Sequence, residues 1–252
     1  MPRLRTGCYV ISLRPRGEHE ALRRAAARHG LRVLALSPWR LVPLDDAATR
    51  KALRTALEAD VVVFTSPAAV RAARALRTLR ARRGQAWCAV GSGTAAALRR
   101  AGVAEVQVPA RMDSEGLLAL PALSDVAGVC IGLVTAPGGR DTLAPALQRR
   151  GADVRRADVY RREPLAPTPQ AIAALRALRA LDAPAWLALS SGEALTHLLA
   201  TLPADAAAVL RRARVVAASE RLATLAHAEG FARVVRAAGP RPADLVAAVQ
   251  AG

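Results

Sequence analysis

Four short segments place hydroxyl groups where backbone N–H groups are expected to stand free. In Phe64-Thr65-Ser66-Pro67 an apolar run stops at a Ser–Pro pair. That is the preferred opening of a helix, because serine caps a free N–H and proline has none to lose. Val90-Gly91-Ser92-Gly93-Thr94 is a second opening, in which Gly91 and Gly93 let the backbone approach a ligand and Thr94 adds a hydroxyl. Ser114, in Met112-Asp113-Ser114-Glu115-Gly116, opens a third, and Ser191, in Leu189-Ser190-Ser191-Gly192, a fourth. Each such opening directs N–H groups and the positive end of a helix outward, which suits a carboxylate or a phosphate. Following strand ends in open α/β sheets, they would face a cleft. Thr65, Ser66, Gly91, Thr94, Ser114 and Ser191 are therefore the candidate ligand contacts.

No familiar catalytic set accompanies them. There is no GxSxG elbow for a Ser-His-Asp enzyme, and Lys51 sits in a plain helical pattern rather than a phosphate-binding loop. The Gly91 turn is not GxGxxG, and no acidic residue follows at the distance a ribose needs, so a dinucleotide site is not expected. Cys8, Cys88 and Cys130 are isolated, and His19, His29, His197 and His227 lack metal-ligand spacing. No metal or cofactor is expected; the cysteines read as small buried residues on strands and the histidines as helix-surface groups. Such a protein would bind and orient a reactive anionic substrate more than attack it.

The charge balance agrees. The chain has 252 residues, 37 Lys+Arg against 20 Asp+Glu, and a formal charge of +17. Lys51 is its only lysine; arginine in place of lysine together with abundant alanine resembles a coding bias, which weakens the charge as a functional signal. It still favours an anionic partner. Aromatic residues make up only 3% of the chain and do not cluster, against the stacking platforms of single-strand nucleic-acid binders. No long run of cations is present, so a nucleic-acid partner is not expected. No apolar window has the length of a membrane span, and no signal peptide precedes the first strand. The expectation is a cytoplasmic protein with no membrane partner.

The elements that would hold these groups alternate. Short apolar runs, among them 8–13, 61–65, 105–108 and 129–135, are separated by segments of helical period such as 67–82, 93–100 and 114–120. This alternation predicts βαβ units in parallel sheets. The chain also repeats itself. Residues 9–33 resemble 131–154, so that Gly17 meets Gly138, Leu22 meets Leu143, Gly30 meets Gly151 and Trp39 meets Tyr160. Residues 61–76 resemble 185–200, and the Gly91 turn resembles the segment at Ser219. The stretches 33–44 and 153–165 carry prolines and no helical period, and each is expected to be a long strand crossing between lobes. That predicts one discontinuous lobe of residues 1–36 with 164–252, a second of 43–153, and linkers at 37–42 and 154–163.

The ordered set Leu13-Arg14-Pro15, the Val42-Pro43 crossover, FTSPAAV, AVGSGTA, Ser114-Glu115-Gly116, PGGRDTLAPALQRRGADV, Val159-Tyr160-Arg161-Arg162, LSSGEAL and AASERLATLA resembles the uroporphyrinogen-III synthase family over essentially the whole chain. The resemblance implies an α/β fold of two similar parallel-sheet lobes, HemD-like and flavodoxin-like, joined by a two-stranded linker. It implies a cofactor-free, usually monomeric lyase that cyclises hydroxymethylbilane to uroporphyrinogen III, with loss of water and inversion of ring D through a spiro intermediate. Transient contact with hydroxymethylbilane synthase is a further expectation. The polycarboxylate substrate suits arginines and helix openings. By the same resemblance Tyr160 is the acid candidate at the departing hydroxyl, Arg14 a carboxylate contact, and Ser219 a cleft residue standing where one branch of the family has threonine. A non-enzymatic two-lobe binding protein for an anionic tetrapyrrole or small acid carries the same features and is told apart by turnover. A nucleic-acid-associated protein would show steeply salt-dependent binding.

Overall fold

The computed structural model describes residues 7–112, 114–138, 142–180 and 184–251. Asp113, beside Ser114, and Gly139, Arg140 and Asp141 of the PGGRD turn lie outside the described residues.

In chain order the elements are β1 (Tyr9–Ser12), α1 (Glu20–Ala27), β2 (Arg32–Ala35), β3 (Trp39–Pro43), α2 (Ala47–Leu57), β4 (Val61–Phe64), α3 (Pro67–Leu76), β5 (Ala86–Ala89) and α4 (Ser92–Arg100). They continue with α5 (Ser114–Leu118), α6 (Pro121–Ser124), β6 (Cys130–Thr135), α7 (Leu143–Arg149), β7 (Asp153–Asp158), β8 (Tyr160–Pro164) and α8 (Pro169–Ala180). The last are β9 (Ala185–Leu189), α9 (Gly192–Thr201), α10 (Ala204–Arg211), β10 (Arg214–Ala217), α11 (Glu220–Ala228), β11 (Val234–Arg236) and α12 (Pro242–Ala251). Among the described residues no helix is long and apolar enough to cross a membrane.

Two compact units result: one runs to Arg40 and resumes at Glu163, the other is Leu41–Arg162. The first holds a sheet of order β11-β10-β9-β1-β2, the second a sheet of order β5-β4-β6-β7. Every pairing in both is parallel. The internal repeat explains the likeness of the two orders: β1 and β2 correspond to β6 and β7, and β9 and β10 to β4 and β5. The spatial orders β2-β1-β9-β10 and β7-β6-β4-β5 are thus the same arrangement, entered at different points of the chain. Fully apolar runs such as Val61–Phe64, buried at all four positions, are what a parallel strand covered on both faces requires.

The second unit has an apolar cluster on each face of its sheet. One contains Phe64, Trp87, Leu98 and Tyr160; the other contains Val63, Cys88, Ile131 and Leu147. Phe64 and Trp87 stack at 5.6 Å between centroids, and a buried phenylalanine contributes about 2–3 kcal/mol by removal from water. Gly132 in β6 is there for proximity: a Cβ would lie 1.8 Å from the carbonyl oxygen of Ala56 in α2. Hydrogen alone lets that helix settle on the strand.

Several details depart from the sequence expectations. The run 105–108 forms no strand; Gln107 makes a single parallel bridge to Cys88, and Pro109 supplies no N–H to prolong it. The helix expected over 67–82 ends at Leu76, where Arg77 is extended (φ −159°, ψ 146°), so that Leu79 can turn into the core. The helix expected over 114–120 ends at Leu118, and a separate short helix opens at Pro121. Each expected crossover strand is broken. Residues 36–38 separate β2 from β3, and buried Val159 separates β7 from β8. β7 is a full member of the second unit's sheet, with Asp153–Asp158 in register with Cys130–Thr135, so residues 154–158 are not linker. β3 and β8 pair as a separate two-stranded sheet, where Arg40 Nε donates to Glu163 Oε2 at 2.6 Å.

Candidate functional site

In the second unit the order β5-β4-β6-β7 reverses direction between β4 and β6: the chain leaves β4 toward one edge and β6 toward the other. A crevice opens at the carboxyl ends of strands at such a switch point. The residues that follow β4 and end β6 line it. Thr65 and Thr135 share a hydrogen bond of 2.8 Å between their hydroxyls across the switch. Beside them lies a cavity of about 190 Å³ whose lining includes Thr65, Ser66, Ser114, Thr135, Tyr160 and two arginines, Arg156 and Arg162.

Ser66 is extended (φ −159°, ψ 156°) and caps α3, its Oγ accepting from the Ala69 N–H at 3.0 Å, with Pro67 in the first turn. The same Oγ lies 3.1 Å from the Tyr160 hydroxyl. Tyr160 is 5% exposed, belongs to the apolar cluster with Phe64 and Trp87 and is among the residues that line the cavity. Burial holds the ring and leaves the oxygen as the working end. Arg156 is oriented by Asp158, to which its Nε donates at 3.0 and 3.2 Å, and its Nη2 donates to the Ala136 carbonyl at 3.2 Å. It therefore brings a fixed guanidinium to the rim.

The other expected contacts fall differently. Ser114 opens α5 and lines the cavity. Gly91 precedes α4 with extended backbone (φ −168°, ψ 171°), and the group that approaches it is Met112: a Cβ at Gly91 would meet Met112 Sδ at 3.2 Å. Its small size thus has a packing reason. Thr94 is 2% exposed in α4, behind the exposed Ser92 and Gly93 that begin the helix.

In the first unit Arg14 follows β1, Ser191 follows β9 and Ser219 follows β10, all at the carboxyl edge of three neighbouring strands. Ser191 caps α9, accepting from the Ala194 N–H at 3.3 Å. Ser219 precedes α11 in extended conformation without a side-chain cap bond. Burial lowers the pKa of Arg14, partly offset by the charge of Glu18.

His19 is not the helix-surface group expected. It is 4% exposed and bridges two serines, Nδ1 to Ser12 Oγ at 2.9 Å and Nε2 to Ser37 Oγ at 2.8 Å. Burial, then the charges of Arg23 and Arg14, push its pKa down to about 4. The neutral ring therefore ties the ends of β1 and β2 to the start of α1. Burial pushes the thiol of Cys88 up to about 12, so it is inert packing. Among the described residues no group of three His, Cys, Asp or Glu could hold a metal ion.

Thr135, Arg156, Arg162 and His19 were missed as site residues. Thr135 ends an ordinary apolar run, and the arginines are hidden among many. The one signal that could have found Arg162 is its place in the Val159–Arg162 motif, two residues beyond Tyr160 on the same side of an extended strand.

The family model described as Uroporphyrinogen-III synthase HemD matches residues 20–247. Solved structures share the fold. A mutant uroporphyrinogen III synthase from the extreme thermophile Thermus thermophilus is similar with TM-score 0.62 and 20% identity, over 98% of this chain and 100% of that one. A uroporphyrinogen-III synthetase from Helicobacter pylori is similar with TM-score 0.58 and 14% identity, over 98% of this chain and 99% of that one. With the family match spanning nearly the whole sequence, and the two parallel-sheet units agreeing with the fold, the chain belongs to the uroporphyrinogen-III synthase family, lyases of tetrapyrrole biosynthesis.

Proposed function

We propose that this chain cyclises hydroxymethylbilane to uroporphyrinogen III, acting as a monomer, and that the cavity beside Tyr160 receives the ring whose hydroxyl departs. The observation that carries the assignment of the site is the buried Tyr160 with its hydroxyl held at 3.1 Å from Ser66 in a cavity rimmed by Arg156 and Arg162.

The arginines and the open N-terminus of α3 hold carboxylate arms. Tyr160 donates its phenolic proton to the terminal hydroxyl of the bilane. The C–O bond breaks, the oxygen leaves as water, and the pyrrole nitrogen supplies the electron pair that forms an azafulvenium. The substituted carbon of ring D attacks that centre to give the spiro intermediate. This fragments and recloses with ring D reversed, and the ring proton released on closure returns to the phenolate. The bilane also closes unaided, without inversion, so the protein contributes geometry more than reactivity. The three cysteines, all unpaired, suit a cytoplasmic setting.

The test is an isomer assay. Hydroxymethylbilane is generated in situ, the purified chain is added without metal or cofactor, and the oxidised products are separated. Predominantly type III uroporphyrin is expected. Type I background alone, from folded protein, would sink the reading and leave a tetrapyrrole-binding protein on the same scaffold. Sedimentation of the purified chain checks the monomer.

A further inference from the structure

The hydrogen bond between Ser66 and Tyr160 has two possible directions, and only one leaves Tyr160 able to act. Ser66 Oγ carries one proton and two lone pairs. One lone pair is engaged, because the Ala69 N–H donates to it at 3.0 Å. If Tyr160 donated to the other, its only proton would be directed at Ser66 and away from the cavity. We propose that Ser66 is a positioning residue: it accepts from the Ala69 N–H and donates its own proton to Tyr160 Oη, which turns the phenolic proton toward the substrate. This inference rests on Tyr160 serving as the acid.

Three observations favour that direction. Ser66 is fixed as a cap, so its hydroxyl is one link of a chain running from a helix N-terminus to the phenol, and such chains polarise each link in the same sense. Second, the phenolate left by proton transfer is an acceptor only. The Ser66 O–H then donates to the new negative charge, with the positive end of α3 and two arginines of the same cavity lining to offset it. No proton is lost in the relay: the Tyr160 proton leaves with the water, Ser66 keeps its own, and ring closure returns one to the phenolate. Third, the internal repeat supplies a contrast. Trp39 stands in the first unit where Tyr160 stands in the second. It opens β3 as Tyr160 opens β8, and it neighbours His197 with ring centroids 6.1 Å apart. Of the two duplicated positions only the second carries a hydroxyl with a serine placed to orient it.

The test separates orientation from capping. Glycine at an N-cap costs only a few tenths of a kcal/mol relative to serine, so Ser66→Gly keeps the helix and removes the relay, while Ser66→Thr keeps both. Wild type, Ser66→Gly, Ser66→Thr, Tyr160→Phe and the double variant Ser66→Gly/Tyr160→Phe are compared for kcat, KM and product isomer. Ser66→Gly is expected to lose roughly tenfold in kcat with KM little changed, as for a hydrogen bond to a charged group. Ser66→Thr restores it. Tyr160→Phe loses more and keeps type III as its product. In the Tyr160→Phe background, Ser66→Gly then costs nothing further. An equal loss in both backgrounds, or no loss in either, overturns the relay while leaving the synthase activity standing. Absence of type III product from wild type overturns the functional reading instead. Carbon NMR of the Cζ atoms reads the bond without turnover, since the chain has two tyrosines. Ser66→Gly shifts the Tyr160 line and not that of Tyr9, and an unmoved Tyr160 line overturns the inference whatever the activity.

Discussion

Lowering the pH should unfasten the first unit through His19. The ring is 4% exposed and both nitrogens are engaged, at 2.9 Å with Ser12 and 2.8 Å with Ser37. One N–H donates to one serine and the other nitrogen accepts from the second, a pattern the neutral ring completes. Protonation would place a charge out of water and beside Arg23 and Arg14, which is why the pKa falls from 6.5 to about 4. The unfolded chain binds this proton near its ordinary pKa, the folded chain only near 4. The unfolded state therefore holds more protons between these values, and stability falls as pH falls through that window. The whole window is worth about 3 kcal/mol, and about 2 kcal/mol is lost between pH 7.5 and pH 5. Urea midpoints of wild type and His19→Gln, measured at both pH values, isolate the effect, because the carboxylates titrate alike in the two proteins. His19→Gln begins about 1 kcal/mol less stable, having lost one of two hydrogen bonds. It should be flatter than wild type by about 2 kcal/mol between the two pH values. Parallel pH dependence would refute the reasoning, since it would mean that His19 takes up its proton equally in the folded and unfolded chains.

Other perturbations test the site and the packing that holds it. Arg162→Ala should raise KM for hydroxymethylbilane by roughly tenfold with a smaller change in kcat, as for a lost carboxylate contact; an unchanged KM removes Arg162 from recognition. Cys88, with its thiol pushed up to about 12 at a fully buried position, should stay unmodified by a thiol reagent in native protein at pH 8 and react on unfolding. Modification in the native state would contradict its burial. Gly132→Ala, which sets a Cβ 1.8 Å from the Ala56 carbonyl oxygen, should lower stability by about 3 kcal/mol or more. Gly128→Ala meets nothing within 4 Å and carries only the strain of φ +73°, so it should cost about 1 kcal/mol. Equal thermal midpoints for the two variants would refute the close-approach argument.

Much of this was legible without coordinates. The Ser66-Pro67 and Ser191 caps form as their residues predict, because a cap bond spans three residues and depends on little else. The α/β class and the parallel sheets follow from the alternation of short apolar runs with helical segments. The repeat anticipated two sheets of one plan. Reading failed where a distant residue outweighed a local preference. Leu79 ends α3 because the core takes it, and the run at Gln107 lacks the partners that would make it a strand. His19 shares the spacing of Leu22 and Ala26 on the buried face of α1, but nothing within a few positions announced that Ser12 and Ser37 would enclose it.

The residues alone determined the α/β class, the Ser66 and Ser191 caps and the family to which the chain belongs, since caps and period are interactions within a few positions of the chain. Only the tertiary structure decided which groups meet. Thr65 and Thr135 stand 70 positions apart and Ser66 and Tyr160 stand 94 apart. Their contact depends on β6 lying beside β4, with β5 on the other side. Strand order is settled by how whole sheets bury their faces, a property of the assembled unit that no short window of sequence contains.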